Sequence, residues 1–181
     1  MKRFLLAFCV LVSLLLSACA TRIGTGPVND MLLRLSPASL GRSMLLQQHL
    51  EVSAAGRSQA LDVALEVDSQ ELRLAVLGLN QTVVRMRWDG VTLEQTRASW
   101  LPDVVRGERI LSDLQLVWWP ADVVRAALPE GWTLDSTDSL RRLFFHGGEV
   151  TQVRYSAGQH VDLLNLRMGY QLHIDSVELA P

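Results

Sequence analysis

Residues 61–90 read LDVALEVDSQELRLAVLGLNQTVVRMRWDG, and their alternation decides the fold. Leu61, Val63, Leu65 and Val67 alternate with Asp62, Ala64, Glu66 and Asp68. Successive side chains of a strand point to opposite faces, so this is a half-buried strand with one apolar and one wet face. The DSQ that follows turns the chain. Leu72, Leu74 and Val76 repeat the alternation, GLNQ turns the chain again, and Val84, Met86 and Trp88 alternate with Val83, Arg85 and Arg87. Asp89-Gly90 is a hairpin signal, and Val91 with Leu93 opens the next strand. Strand and turn at a spacing of roughly ten residues predict an antiparallel meander.

The pattern extends to both sides. Upstream, Pro37 and Gly41 interrupt an apolar stretch that reads as a short helix or turn feeding a first strand at about Met44 to Ser53. Downstream, a Pro-broken loop precedes Leu114, Leu116 and Trp118, which share one parity as in a strand. Pro120 and Asp122 then suit the first turn of a helix. Val123, Val124, Ala127 and Leu128 make its apolar stripe and Pro129 ends it, giving a helix of about nine residues. Strands return at Leu143 to Phe145 and Val150 to Tyr155, flanking an HGGE hairpin loop, and at Val161 to Met168 and Tyr170 to Leu179. Tyr170, Leu172 and Ile174 share a parity that Val177 and Leu179 do not, which predicts a bulge or bend near Asp175-Ser176.

The N-terminus has a different logic. Met1-Lys2-Arg3 precedes an apolar run from Phe4 to Leu16, then the small residues Ser17 and Ala18, in the order of a secretory signal. The run, about 13 residues, is too short to span a bilayer comfortably at ~1.5 Å per residue. Leu16-Ser17-Ala18-Cys19 resembles the bacterial lipobox. That resemblance implies cleavage before Cys19, diacylglycerol on its sulfur and a further acyl chain, such as palmitate, on the new amine. Residues 1–18 are then the signal peptide, 19–30 the lipidated cysteine and a Gly/Pro-containing tether, and 31–181 a single domain. Ala20, where an Asp would favour inner-membrane retention, points to the periplasmic face of the outer membrane. Burial of acyl carbon contributes about 0.8 kcal/mol per CH₂, so several chains anchor firmly.

Composition and motifs exclude more than they assign. The chain has 19 acidic against 17 basic residues and no basic cluster, so no nucleic-acid surface is expected. Cys9 falls in the signal, which leaves Cys19 alone and no disulfide or zinc site. No G-x-S-x-G surrounds a serine, and His49, His146, His160 and His173 lack metal spacing, with His173 placed on the wet face of its strand. No catalytic residue, metal or cofactor is expected, and the chain does not read as an enzyme.

What remains is apolar excess. Hydrophobic residues make up 49% of the sequence, and Trp88, Trp100, Trp118, Trp119 and Trp132 all lie beyond the signal. An antiparallel sheet with one apolar face needs a cover, and a single short helix cannot seal a sheet of eight or more strands. Either the sheet curls and the tryptophans fill its core, or an apolar cavity remains of the kind lipid carriers use.

RGERILSDLQLVWWPADVVRAALPEGW (residues 106–132), with LDVALEVD before it and LRMGYQLHI after it, resembles family 3261 of the domains of unknown function, a set of bacterial lipoproteins. Their genes often neighbour fatty-acid or aryl-polyene type synthesis genes, which implies a lipid-like product. More distantly, the order of features is similar to LolB and LolA, which pass lipoproteins to the outer membrane. The resemblance implies a mainly β (α+β) fold, a curved antiparallel sheet forming an unclosed β-barrel with a short helix as lid. LAVLGLNQTVVRM (residues 74–86) resembles the LolB segment around its protruding leucine, so Leu79 takes the place of a membrane-insertion tip, with Gly78 where LolB has proline. The expected ligand lining is Leu65, Leu74, Val76, Met86, Trp88, Leu116 and Trp118, with Val124 and Leu128 on the lid. The expected partners are the membrane, through the acyl chains on Cys19, and a lipid or lipoprotein ligand. The alternative is a lipoprotein that carries nothing and docks an envelope or lipid-synthesis complex.

Overall fold

The alternating segments pair in sequence order, each antiparallel to the one before it. The computed structural model describes residues 31–78, 81–101 and 105–179. A 3₁₀ turn at Pro37–Leu40 leads into β1 (Met44–Ala54), β2 (Arg57–Val67), β3 (Leu72–Gly78), β4 (Gln81–Trp88) and β5 (Leu93–Arg97). Two helices follow, α1 (Gly107–Trp118) and α2 (Ala121–Ala127). A second meander then runs through β6 (Trp132–Ser136), β7 (Leu140–Phe145), β8 (Gly148–Ser156), β9 (His160–Asn165) and β10 (Tyr170–Glu178).

All ten strands join one sheet in the order β5-β4-β3-β2-β1-β10-β9-β8-β7-β6. The two meanders meet where β1 pairs with β10, from Leu46↔Glu178 to Ala54↔Tyr170. β5 and β6 are the outer strands and do not pair with each other, so the sheet is an unclosed barrel. The described residues belong to one compact unit.

The sheet curls around α1. Gln95 of β5 bonds the backbone N–H of Gly107 at 2.8 Å, and Tyr170 of β10 donates to Asp113 at 2.5 Å. Arg141 of β7 donates to the carbonyls of Leu116 and Trp119, both at 2.7 Å. Tyr155 of β8 donates to the Val117 carbonyl at 2.7 Å. A helix touched by both halves of the sheet must lie inside its curve. The last carbonyls of a helix have no intrahelical donor, and here Arg141 and Tyr155 supply donors from the strands.

Three expectations are corrected. Leu114, Leu116 and Trp118 lie in α1, not in a strand. Ile110, Leu111, Leu114, Val117 and Trp118 follow the helical period, but apolar residues on the opposite side complete an alternation by coincidence. No bulge occurs at Asp175-Ser176, because the β1–β10 register is continuous there. Ser176 turns inward to accept a bond from buried Gln48, which faces it in register, and Val177 is left outside. The register shifts fall instead between Val76 and Leu77 and between Leu143 and Phe144. Finally, Val91 does not open a strand. It stands in the β4–β5 turn, where Asp89 accepts from the backbone N–H groups of Val91 and Thr92, and β5 begins at Leu93.

The HGGE loop forms as read, a tight hairpin in which His146 and Gly147 both take positive φ, 48° and 81°. That geometry matches the twist of the flanking strands. α2 spans seven residues, close to the length expected.

Candidate functional site

The strand residues named as candidate lining, Leu65, Leu74, Val76, Met86 and Trp88, stand on the inner face of β2 to β4. Leu65 faces Leu74, and Leu74 faces Met86, across adjacent strands. Leu65, Leu74, Val76, Met86, Trp88, Leu116 and Val124 are all buried in one apolar cluster, and Trp118 and Leu128 pack against it partly buried. Thus residues drawn from two meander strands, a third strand and two helices meet on one side of the sheet. Leu79 and Cys19 lie outside the described residues.

α1 and the segment before β1 close this face. Ser112 and Gln115 were not singled out from the sequence, yet they fix the closure. The backbone N–H of Leu33 donates to Ser112 Oγ at 3.1 Å and that of Leu35 to Gln115 Oε1 at 2.9 Å. The Leu35 carbonyl accepts from Gln115 Nε2 at 2.8 Å and from Trp88 Nε1 at 2.7 Å. Fully buried polar atoms need such partners. Polar residues between apolar ones in a helix are the one sequence signal that could have pointed to them. The cover therefore rests on apolar packing together with a limited set of side-chain to backbone bonds. Tyr155 and Tyr170, which hold the helix from the other half-sheet, have hydroxyl pKa values pushed up chiefly by burial, to about 12 for Tyr155. For Tyr170 the Asp113 carboxylate adds to the effect. The buried indole N–H groups of Trp118 and Trp132 have no acceptor among the described residues.

The outer face is polar and patterned. A groove of about 530 Å³ crosses it above Ala64 and Ala75, which face each other across β2 and β3. Arg73, Arg85 and Arg87 stand along it. Glu71 bridges Arg73 and Arg87, two like charges directly opposite each other, and so relieves their repulsion.

Three of the four histidines stand together across β1, β9 and β10. His49 pairs with Asp62 at 3.1 Å, His173 with Asp162 at 2.5 Å, and His160 with Asp175. Asp175 lies opposite both His49 and His160 in register. The bond from His160 is the main cause holding the Asp175 carboxyl below its usual range. The bond to Asp162 is the main cause holding the His173 imidazole above its usual range. Each imidazole is engaged by a carboxylate, and no group of three His, Cys, Asp or Glu among the described residues is placed to hold a metal. No described helix is long and apolar enough to cross a membrane.

Compared with known proteins, residues 45–178 match the model of a family described as Protein of unknown function (DUF3261). No curated protein sequence matches the chain.

Proposed function

Because this chain belongs to the DUF3261 family, whose description assigns no activity, we propose from its residues that it is an outer-membrane lipoprotein that binds and transfers a hydrophobic ligand. The ligand is a lipid, an acyl or polyene product, or the acyl chains of another lipoprotein. The observation that carries this reading is the helical cover. A continuous apolar face on the open sheet is closed by α1, α2 and residues 31–40, and among the described residues no strand ladder ties that cover to the sheet edges.

The mechanism is exchange of one apolar surface for another. When the cover lifts, Leu65, Leu74, Met86 and Trp88 lose its packing, and an acyl chain restores burial at about 25 cal/mol per Å². The two terms nearly offset, so loading and release are driven by small differences. The unpaired indole N–H of Trp118 suits an ester or carboxyl oxygen of the entering molecule. Acyl chains on Cys19 keep the domain at the periplasmic face of the outer membrane, and Leu79 serves as an insertion tip. The bilayer then offers equal burial close by, which favours release. No covalent chemistry is required.

Purified protein mixed with a fluorescent fatty acid tests this. Saturable uptake that other fatty acids displace is the expected result. A folded protein that takes up no probe overturns the reading. A second reading, a docking lipoprotein that carries nothing, is favoured by the mutual packing of the same lining residues around α1. It expects one stoichiometric protein partner and no co-purified lipid in native mass spectrometry.

A further inference from the structure

The meander gives the molecule two unlike ends. Because each strand reverses the last, alternate turns fall at the same end. One end holds the β1–β2, β7–β8 and β9–β10 turns, the end of β3 and the start of β4, the end of β5 and the start of α1, and the connection from α2 into β6. The other holds the β2–β3, β4–β5, β6–β7 and β8–β9 turns. The first is called the near end.

Exposed large apolar side chains occur toward both ends, and charge separates them. The near end presents Leu77, Trp100, Leu166 and Met168, with Trp100 and Leu166 each 50% exposed. The described residues of its turns and connections carry Arg106, Arg167 and a single acid, Glu130, and the elements that begin or end beside them add Arg57 and Arg97 against Glu108 and Glu149. Asp103 lies outside the described residues. Toward the far end stand Val91, Val177 and Leu179. The far turns carry Asp68, Asp89 and Asp138, with Glu71 paired to Arg73 and Arg87 of the adjoining strands, and no basic residue of their own. Glu178 lies close by, paired with Arg42 at 2.5 Å.

We infer that the near end docks on the surface of an anionic lipid bilayer, with Trp100, Leu166 and Met168 seated at the level of the headgroups. Tryptophan favours that level because one side of its ring is apolar and its N–H remains wet. Arginines beside it are drawn to anionic headgroups, and the carboxylates of the far turns are repelled. Docking this way brings the start of α1, the end of α2 and the opening between β5 and β6 toward the lipid. The inference deepens the proposed exchange of a hydrophobic ligand and rests on that reading, since it names the surface across which the exchange takes place.

The test uses the full chain reconstituted on vesicles of phosphatidylethanolamine and phosphatidylglycerol brominated in their acyl chains. Bromine quenches tryptophans that reach the lipid, and the sequence has tryptophan only at positions 88, 100, 118, 119 and 132. Quenching is expected, and W100F should lose most of it. L166S/M168S, which keeps Trp100, should weaken it, and V91S at the far end should leave it unchanged. Absence of quenching, or quenching that W100F leaves intact, overturns the docking. Fatty-acid uptake measured in solution separates the two ideas. Trp100 quenching without uptake keeps the docking and rejects carriage, and uptake without Trp100 quenching does the reverse.

Discussion

Gln48 and Ser176 form a polar pair inside an apolar sheet, 128 residues apart in the chain. Ser176→Ala leaves the buried Gln48 amide without its acceptor, which costs about 1–3 kcal/mol in urea unfolding. Replacing both, as Gln48→Leu with Ser176→Val, recovers most of that loss, because no buried polar group is then unpaired. This pair also explains why the end of β10 misleads pattern reading. Alternation assigns apolar residues to the inside, so Val177 and Leu179 appear to demand a bulge. The backbone keeps its register, and the inward place goes to a serine whose partner is invisible at that distance in sequence. Trp88 is the opposite case, since its parity already puts it in the core. Trp88→Phe keeps a ring but loses the bond to the Leu35 carbonyl, which retains Gln115 as a donor. The expected cost is about 0.5–1.5 kcal/mol, against about 3–5 kcal/mol for Trp88→Ala, which also opens a cavity.

At the scale of elements, α1 is the hardest to read from the sequence and is the one on which the proposed exchange depends. Ile110, Leu111, Leu114, Val117 and Trp118 keep the helical period, but Ser112, Asp113 and Gln115 are buried as well, so its polar residues do not mark a wet face. The strands were legible because one face of each is wet. Even the β7–β8 turn followed from its two glycines, whereas a helix enclosed by its own sheet presents no wet face to set its period. Arg141 reaches two carbonyls at the end of this helix, so Arg141→Met should loosen the last turn first. Hydrogen exchange at Val117 to Trp119 is expected to quicken while β1, β2 and β10 stay protected, at a cost of about 1–3 kcal/mol. If the helical cover admits ligand, the same variant takes up a fluorescent fatty acid faster than the wild type.

At the scale of the whole molecule, the histidine and aspartate lattice crosses the junction of the two half-sheets, and its contribution depends on pH. The His173 imidazole is raised above 6.5, so its stabilisation is complete below that value and is lost as pH rises through the raised pKa. The Asp175 carboxyl is lowered below 3.8, so its stabilisation is complete above that value and is lost as pH falls through the lowered pKa. Both act fully between pH 3.8 and 6.5. The Tm deficit of His173→Gln should therefore be larger at pH 5.5 than at pH 8.5, and small throughout because these groups are exposed to solvent and salt. The same junction has a kinetic consequence. Among the described residues β1 is the first strand and β10 the last, yet they lie side by side in the middle of the sheet. Each half can assemble from local hairpins, but the central ladder waits for a contact between distant parts of the chain, which is intrinsically slow. Pulse-labelling during refolding should find the β1–β10 amides protected after those of the hairpins. A chain emerging from its N-terminus therefore holds β1 with one open edge until β10 arrives, and this is the interval in which a chaperone has most to bind.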